Sequence, residues 1–309
     1  MPKTLQEAVQ DTVAYFDVID MPVTPVMVWR SLLAEGANME FRLNDVIACL
    51  AEFRRDGVLA GRYGYYMLPG HEDMAQERLY RHSLSQAKWK IVRKGLPLLS
   101  FVPFVRALAG SGSLALDNTK TSSDLDLFVV AQGGRIWTAR LGMLFVTQLL
   151  GRRRKYFNFS APDMFCVNHY IADDSMLVDA DVRNVYTAVQ YTHHVPLYGR
   201  EVMRSFLNKN QSWISEFVAS PVVPDASHEY EYTPGLLAVF LKQFIEGFLL
   251  EPLGQYVEDF ARYVQLKVIA SHDARSRRGR VVCNDAELAF HPDTKVPYVV
   301  SQFLARKTS

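Results

Sequence analysis

Residues 110–130 combine a small polar turn with two closely spaced carboxylates. Gly112 and Ser113 are followed by ten residues and then by Asp124 and Asp126, which open an apolar run. A glycine lets backbone amides approach a phosphate closely, and a serine hydroxyl adds a hydrogen-bond donor. Carboxylates suit Mg²⁺, and metal ions held this way neutralise the charge that develops during phosphate transfer. The pattern therefore predicts a site for a nucleoside triphosphate and Mg²⁺ or Mn²⁺, with Ser123 as a further nucleotide contact.

The elements around this segment must bring its two halves together. Residues 102–109 and 125–131 are apolar runs typical of buried strands, and they flank the polar segment. On an extended strand, Asp124 and Asp126 emerge on the same face because they are two residues apart, while the intervening leucine points into the core. One face of the second strand is thus expected to bind metal while the other anchors it.

The run from Leu108 to Val130 resembles the sequence pattern of the DNA polymerase β-like nucleotidyltransferase superfamily. That pattern is an apolar residue, Gly, Gly or Ser, a spacer, and then Asp-apolar-Asp/Glu-apolar. The whole chain resembles stand-alone prokaryotic nucleotidyltransferases that carry an N-terminal winged helix. The resemblance implies metal-dependent transfer of a nucleoside monophosphate from an NTP or dNTP to an acceptor hydroxyl. Gly112 and Ser113 would hold the triphosphate, and Asp124 and Asp126 would hold the metals.

The family resemblance also implies a third carboxylate on a later strand, and the chain departs from the pattern there. The expected strand, residues 164–171, contains no acid. Asn168 is the candidate for the equivalent position; its amide oxygen can ligate magnesium but brings no charge and cannot act as a base. Asp163 before the strand, or Asp173 and Asp174 after it, could substitute if the register differs by a few residues. The missing acid keeps a second hypothesis open, a non-catalytic regulator that senses nucleotide.

Four regions are predicted along the chain, which gives a multidomain α+β or α/β protein. Residues 1–70 contain helical patterns at residues 5–18, 24–34 and 43–56 and a short hairpin at 57–68, the arrangement of a winged helix. In the third pattern, Val46, Ile47, Leu50 and Phe53 are predicted to face the core. Residues 71–100 form a connecting basic helix, and residues 101–180 form the nucleotidyltransferase core, a sheet with packed helices. Residues 181–309 are predicted to be a helical subdomain. Its candidate nucleotide contact is Lys209, together with the neighbouring Asn208 and Asn210.

The distribution of charge limits the classes of binding partner but does not identify the acceptor molecule. Residues 1–70 carry six basic and nine acidic side chains, which argues against sequence-specific DNA binding and favours a docking, dimerising or regulatory role for the winged helix. The basic side chains of residues 72–99 would either solubilise that helix or guide a polyanionic acceptor, and the basic run at residues 275–280 is similarly ambiguous. RNA, a protein, a small molecule or another nucleotide remains open as acceptor, as does a homodimer through the winged helix.

Composition predicts a cytoplasmic protein. The 309 residues are 49% hydrophobic and carry a net charge of +1, which gives no global bias toward nucleic acid or anionic membrane. The three cysteines are far apart and odd in number, as expected in a reducing compartment, and are predicted to be core residues. No secretory signal is apparent at the N-terminus. The apolar stretches at 136–150 and 236–250 are short and interrupted by charges, so buried helices are expected rather than membrane spans.

Overall fold

The computed structural model describes residues 3–33, 41–154, 161–219, 230–250, 252–273, 280–291 and 296–307. Its helices are α1 (Leu5–Val18), α2 (Pro25–Arg30), α3 (Leu43–Arg55), α4 (Met74–Phe101), α5 (Gly112–Ala115), α6 (Ile136–Leu149), α7 (Val185–Thr192), α8 (Arg200–Ile214), α9 (Leu236–Phe248), α10 (Leu253–Asp273) and α11 (Val296–Lys307). Its strands are β1 (Ala60–Arg62), β2 (Tyr65–Met67), β3 (Val105–Gly110), β4 (Leu125–Ala131), β5 (Phe165–Ala172), β6 (Val195–Tyr198), β7 (Arg280–Cys283) and β8 (Glu287–His291). Apart from Arg280, the predicted basic run at 275–280 lies outside these residues.

The larger sheet has the strand order β6-β3-β4-β5-β8-β7 within the described residues. Strands β4 and β5 are parallel, and the other neighbouring pairs are antiparallel. Three of its strands, β6 to β8, come from residues 181–309, and the prediction of a helical subdomain there did not include them. Pro196 shows the physical reason at β6, because proline disrupts a helix interior but is tolerated in an edge strand.

Side chains alternate between the two faces of the central strand β4. Leu125 and Leu127 are fully buried in a cluster with side chains of α4, α6 and α10. Phe128 faces the other way and belongs to a cluster that includes α7 and α8. The sheet is therefore covered by helices on both faces, a mixed α/β arrangement that requires apolar residues on each side of a buried strand.

The N-terminal residues contain the predicted three helices and a hairpin. Helix α1 begins at Leu5, as the sequence indicated, because Thr4 and Glu7 form a reciprocal capping box at its first turn. The exposed Ile47 corrects the predicted core face of α3, where Val46 and Leu50 are buried. Helices α1 to α3 share one hydrophobic cluster with α7, α8 and α11, so the predicted boundary at residue 181 does not separate two cores.

Both ends of the chain meet in this N-terminal cluster. Helix α11 packs on α1, with the rings of Tyr15 and Phe303 edge to face at 5.6 Å. Arg306 forms an ion pair with the buried Asp17. Helix α11 thus completes the hydrophobic core of the N-terminal helices.

Only some of the basic side chains of helix α4 lie on its solvated face. Arg78, Arg81 and Lys88 are buried, whereas the exposed basic residues are Lys90, Arg93 and Lys94. The buried side chains donate to the segment that links the Gly-Ser turn to β4: Arg78 to the carbonyls of residues 116 and 117, Arg81 to the Asn118 side chain at 3.3 Å, and Lys88 to the Ser123 carbonyl at 2.7 Å. An irregular buried segment leaves carbonyl groups that need such donors.

Two apolar stretches of the sequence form helices in this fold. Among the described helices, none combines the length and the apolar character that crossing a membrane would require. The prediction that residues 236–250 form a buried helix is wrong, because Leu236 is 90% exposed and Phe248 is 64% exposed on α9.

Replacing Lys88 with methionine tests the role of α4. Lys88 also forms an ion pair with Asp163 at 2.7 Å, so the substitution removes donors from two partners. We expect Lys88→Met to lower the free energy of unfolding by about 1 to 3 kcal/mol. The exposed Lys90→Met is the matched control and should change it by less than about 0.5 kcal/mol. Equal effects in urea denaturation would contradict a structural role for Lys88.

Candidate functional site

The two predicted carboxylates lie together at the amino end of β4. Asp124 directly precedes the strand and Asp126 is its second residue; both are half-buried. Leu125 and Leu127 are fully buried on the opposite face. The predicted alternation is confirmed, with two carboxylates on one face and the leucines that anchor them on the other.

The Gly-Ser turn lies directly against Asp126. Ser111 donates its backbone N–H to the Asp126 carbonyl at 3.0 Å, which fixes the turn beside β4. Gly112 has φ of +59°, and a Cβ added there would lie 2.7 Å from Asp126 Oδ2. The positive φ and this close approach both require glycine. The sequence analysis predicts that Gly112 lets a phosphate approach the backbone, whereas the immediate neighbour of Gly112 in the structure is the Asp126 carboxylate.

Ser113, Ser123 and Lys209 differ in their relation to this turn. Ser113 lies in the short helix α5, directly after Gly112. The Ser123 hydroxyl accepts a hydrogen bond from the backbone N–H of Lys120 at 2.9 Å, so it closes the turn before Asp124. Lys209 is exposed on α8, and its neighbour Asn210 is hydrogen-bonded to Met176 and Val178 beyond the end of β5. The described contacts therefore do not bring Lys209 to the aspartates.

Cys166 is the third member of the cluster, and the sequence analysis missed it. One ligand atom from each of Asp124, Asp126 and Cys166 lies within 4.8 Å of the others. Cys166 pairs directly with Asp126 across the parallel strands. The pairing depends on where β4 and β5 start and on their register, which the sequence pattern does not contain. The sequence alone predicts that this cysteine is a core residue.

Asn168 lies two residues beyond Cys166 along β5 and does not take the third position. Asp126 pairs with Cys166, but the next pairing joins Phe128 to His169. Two residues of β5 therefore lie opposite the single residue Leu127, which is the arrangement of a β-bulge. Asn168 is one of these two residues and opposes neither aspartate.

The three alternative carboxylates are also placed elsewhere. Asp163 accepts a hydrogen bond from Lys88 at 2.7 Å and is committed to that ion pair. Asp173 accepts from the backbone N–H of Gly133 at 2.8 Å, and Asp174 lies against the same glycine. That glycine follows the carboxyl end of β4, roughly 20 Å from Asp126 at the usual rise per residue of a strand. Neither Asp173 nor Asp174 can complete the cluster.

Arg154 supplies a positive charge to the cluster. Its guanidinium pairs with Asp124 and donates to Cys166 Sγ at 3.2 Å. The segment after α6 runs beside the start of β5: Phe165 donates to the Arg152 carbonyl at 2.6 Å, and the Arg154 N–H donates to the Phe165 carbonyl at 3.2 Å. The sequence gives no indication of this role for Arg154, because the pairing with β5 depends on contacts distant in sequence.

The charges of the cluster are not balanced at Asp126. Burial raises the pKa of Asp126 to about 7, repulsion from Asp124 adds to the effect, and Arg154 and a hydrogen bond with Cys166 oppose it. Burial also raises the pKa of the Cys166 thiol well above its usual value, and the two carboxylates act in the same direction. A cation placed beside Asp126 would favour its ionised form. The cluster therefore offers one carboxylate paired with Arg154 and one that is poorly compensated.

Comparisons with known proteins do not identify a family. No protein-family model, curated protein or solved structure matches this chain significantly. The resemblance carried by residues 108–130 accordingly stays a prediction.

Opposite effects are expected when each carboxylate is neutralised. In the unfolded chain the Asp126 carboxyl ionises near pH 3.8, whereas in the fold it ionises near pH 7, so its contribution becomes unfavourable as pH rises between these values. Without added metal, Asp126→Asn should raise the free energy of unfolding at pH 8 by about 2 to 4 kcal/mol and have little effect near pH 4.

Asp124→Asn is the matched control because it removes the partner of Arg154. That variant should lower stability at pH 8. Urea denaturation at pH 4 and pH 8 measures both effects. A destabilised Asp126→Asn protein at pH 8 would show that the Asp126 carboxylate is well compensated after all.

Proposed function

We propose that this protein is a metal-dependent nucleotidyltransferase that moves a nucleoside monophosphate from an NTP or dNTP to an acceptor hydroxyl. The observation that carries the proposal is the convergence of Asp124, Asp126 and the Gly112 turn at one end of β4, with Cys166 beside them. A purely structural site would not need two carboxylates on the same half-buried face, since burying like charges together is unfavourable.

The donor atoms fit a divalent cation in part. Two carboxylates at ligand spacing suit Mg²⁺ or Mn²⁺, and a bound cation would offset the burial and the repulsion from Asp124 that raise the pKa of Asp126. The thiol is a softer ligand than Mg²⁺ prefers. Asp124 and Asp126 would therefore hold the metal, and Cys166 would contribute little to a hard cation while its thiol stays protonated.

The residues around the carboxylates would divide the remaining work. A bound divalent cation supplies charge neutralisation at the phosphates. Gly112 lies against Asp126 and Ser113 follows it in α5, and their backbone N–H groups and the Ser113 hydroxyl would bind phosphate oxygens. Arg154 provides a second, permanent cation at the same place and can pair with a phosphate when it is released from Asp124. Lys209 plays no part in this proposal.

The N-terminal helices and hairpin would serve as a docking or regulatory unit of the winged-helix type. Residues 1–70 carry more acidic than basic side chains, which disfavours binding to nucleic acid. The unit shares its hydrophobic cluster with α7 and α8, which cover the face of the sheet that carries Phe128. A partner bound there would act on the helices next to the site.

A second candidate function is a nucleotide-sensing regulator with weak or no catalysis. Two observations favour it: a thiol stands where a third carboxylate is expected, and Arg154 already pairs with Asp124. A protonated thiol cannot act as a general base toward an acceptor hydroxyl, because only the thiolate form accepts a proton effectively. Such a protein would bind triphosphate and transfer nothing.

Label transfer distinguishes these functions. The purified chain is incubated with Mg²⁺ or Mn²⁺ and each labelled NTP and dNTP, with and without total RNA. We expect label in RNA, in the protein or in a soluble oligonucleotide, and none with the Asp124→Ala/Asp126→Ala double variant, because the metal ligands are gone. The labelled product also identifies the acceptor class. Triphosphate binding without transfer under any condition would favour the sensor.

Replacing Cys166 tests the ligand set independently of turnover. Cys166→Asp would give three oxygen donors and add a buried negative charge, so Mg²⁺ should bind about tenfold more tightly, equivalent to ~1.4 kcal/mol. The readout is the rise in melting temperature with Mg²⁺ concentration, since a ligand of the folded state stabilises it. Cys166→Ser is the matched neutral control and should respond like the wild type. An unchanged response in Cys166→Asp would mean that no cation binds beside residue 166.

A further inference from the structure

Helix α9 is oriented with its charged residues inward. Lys242 is 7% exposed and donates to the backbone carbonyls of Ser100 and Val105 at 2.8 and 2.7 Å. Glu246 accepts from the Phe104 N–H at 2.6 Å and pairs with Arg106 at 2.9 Å. These bonds fix the rotation of α9 about its axis. The helix cannot turn its other face toward the sheet without leaving a buried cation and a buried carboxylate unpaired.

The outward face of α9 is apolar. Phe240, Phe244 and Phe248 follow one another along it, with ring centroids 6.4 and 4.8 Å apart. Among the described residues of α9, the exposed large apolar side chains are Leu236, Leu237, Phe240, Leu241, Phe244 and Phe248, each between 41% and 90% exposed. Gln243 and Gly247 are the other exposed residues of the helix, so this face carries no charged side chain.

We propose that the outward face of α9 is the contact surface for a second copy of this chain. At ~150–250 Å² per large side chain, the exposed fractions amount to roughly 700 Å². Each partner of a standard stable interface contributes ~800 Å². The α9 face alone thus supplies nearly all the area that a dimer needs, and most of it is leucine and phenylalanine.

The absence of charge favours self-association over other occupants. In a two-fold dimer the same patch meets itself, so any charge near the axis would face a like charge. The uncharged α9 face avoids that cost. Helices that lie on anionic lipid surfaces carry lysine or arginine on their polar side. The lysine of α9 is instead bound inside the protein, which leaves it unable to pair with lipid phosphates or nucleic acid.

Analytical ultracentrifugation of the full chain tests the proposal. We expect the wild type to be a dimer at micromolar concentration. Phe240→Asp/Phe244→Asp should raise the dissociation constant of the dimer by at least about 30-fold, because it places charges in the apolar contact. Tyr63→Asp is the control: Tyr63 is 59% exposed on the β1–β2 hairpin, away from α9, and its replacement should leave the dimer intact. A monomeric wild type overturns the proposal, as does loss of the dimer in Tyr63→Asp alone.

A cross-linking variant covers the case in which the double substitution disturbs folding. Gln243→Cys places a thiol in the middle of the exposed face. Oxidation should give a disulfide-linked dimer, whereas Lys209→Cys on α8 should give none. Failure of Gln243→Cys to cross-link would overturn the proposal. A monomer that binds neutral phosphatidylcholine vesicles, and loses that binding in Phe240→Asp/Phe244→Asp, would assign the surface to lipid instead.

Discussion

The hydrogen bonds from α4 to the starts of β4 and β5 are the constraint on which the candidate site depends. Lys88 is buried and donates both to the Ser123 carbonyl, just before β4, and to Asp163, just before β5. It therefore ties together the two strand starts whose register sets Asp126 opposite Cys166. Arg78 and Arg81 hold the preceding segment in the same way. Without these donors, carbonyl groups of this irregular segment would lose the hydrogen-bond partners that folded backbone needs.

The cluster that results is a compromise between stability and chemistry. Packing Gly112 against Asp126 removes water from that carboxylate, and the nearby Asp124 repels it, so its pKa rises to about 7. Arg154 forms an ion pair with Asp124 and compensates Asp126 less. Selection for stability alone would replace one of these carboxylates, because single substitutions that remove an unfavourable charge commonly stabilise a protein. An unfavourable charge arrangement at a half-buried position is typical of sites that bind or react.

The sequence predicted what depends on local patterns. Helix α1 has the predicted bounds, Leu5–Val18, because a capping box and helical periodicity are encoded within a few residues. Strand β4 follows from the alternation of Asp124, Leu125, Asp126 and Leu127. The failures involve contacts between distant residues: the strand register that sets Cys166 against Asp126, the pairing of Arg154 with β5, and the burial of Arg78 and Lys88 against loop carbonyls. None of these has a periodic signal, and β6 to β8 likewise become strands only through the partners they find in the sheet.

Helix α9 has its charged residues inward and its apolar residues outward because of the contacts that Lys242 and Glu246 make, and the position of these contacts bears on function. Lys242 and Glu246 bond to Val105, Phe104 and Arg106 at the start of β3. Because β3 is antiparallel to β4, Val105 pairs with Ala131, at the far end of β4 from Asp126. The separation along the strand is roughly 15 Å at the usual rise per residue. A second copy held on the outward face of α9 would therefore be attached to the end of the sheet opposite the carboxylates, and the Gly112 turn and Arg154 would stay accessible to a nucleotide and its acceptor.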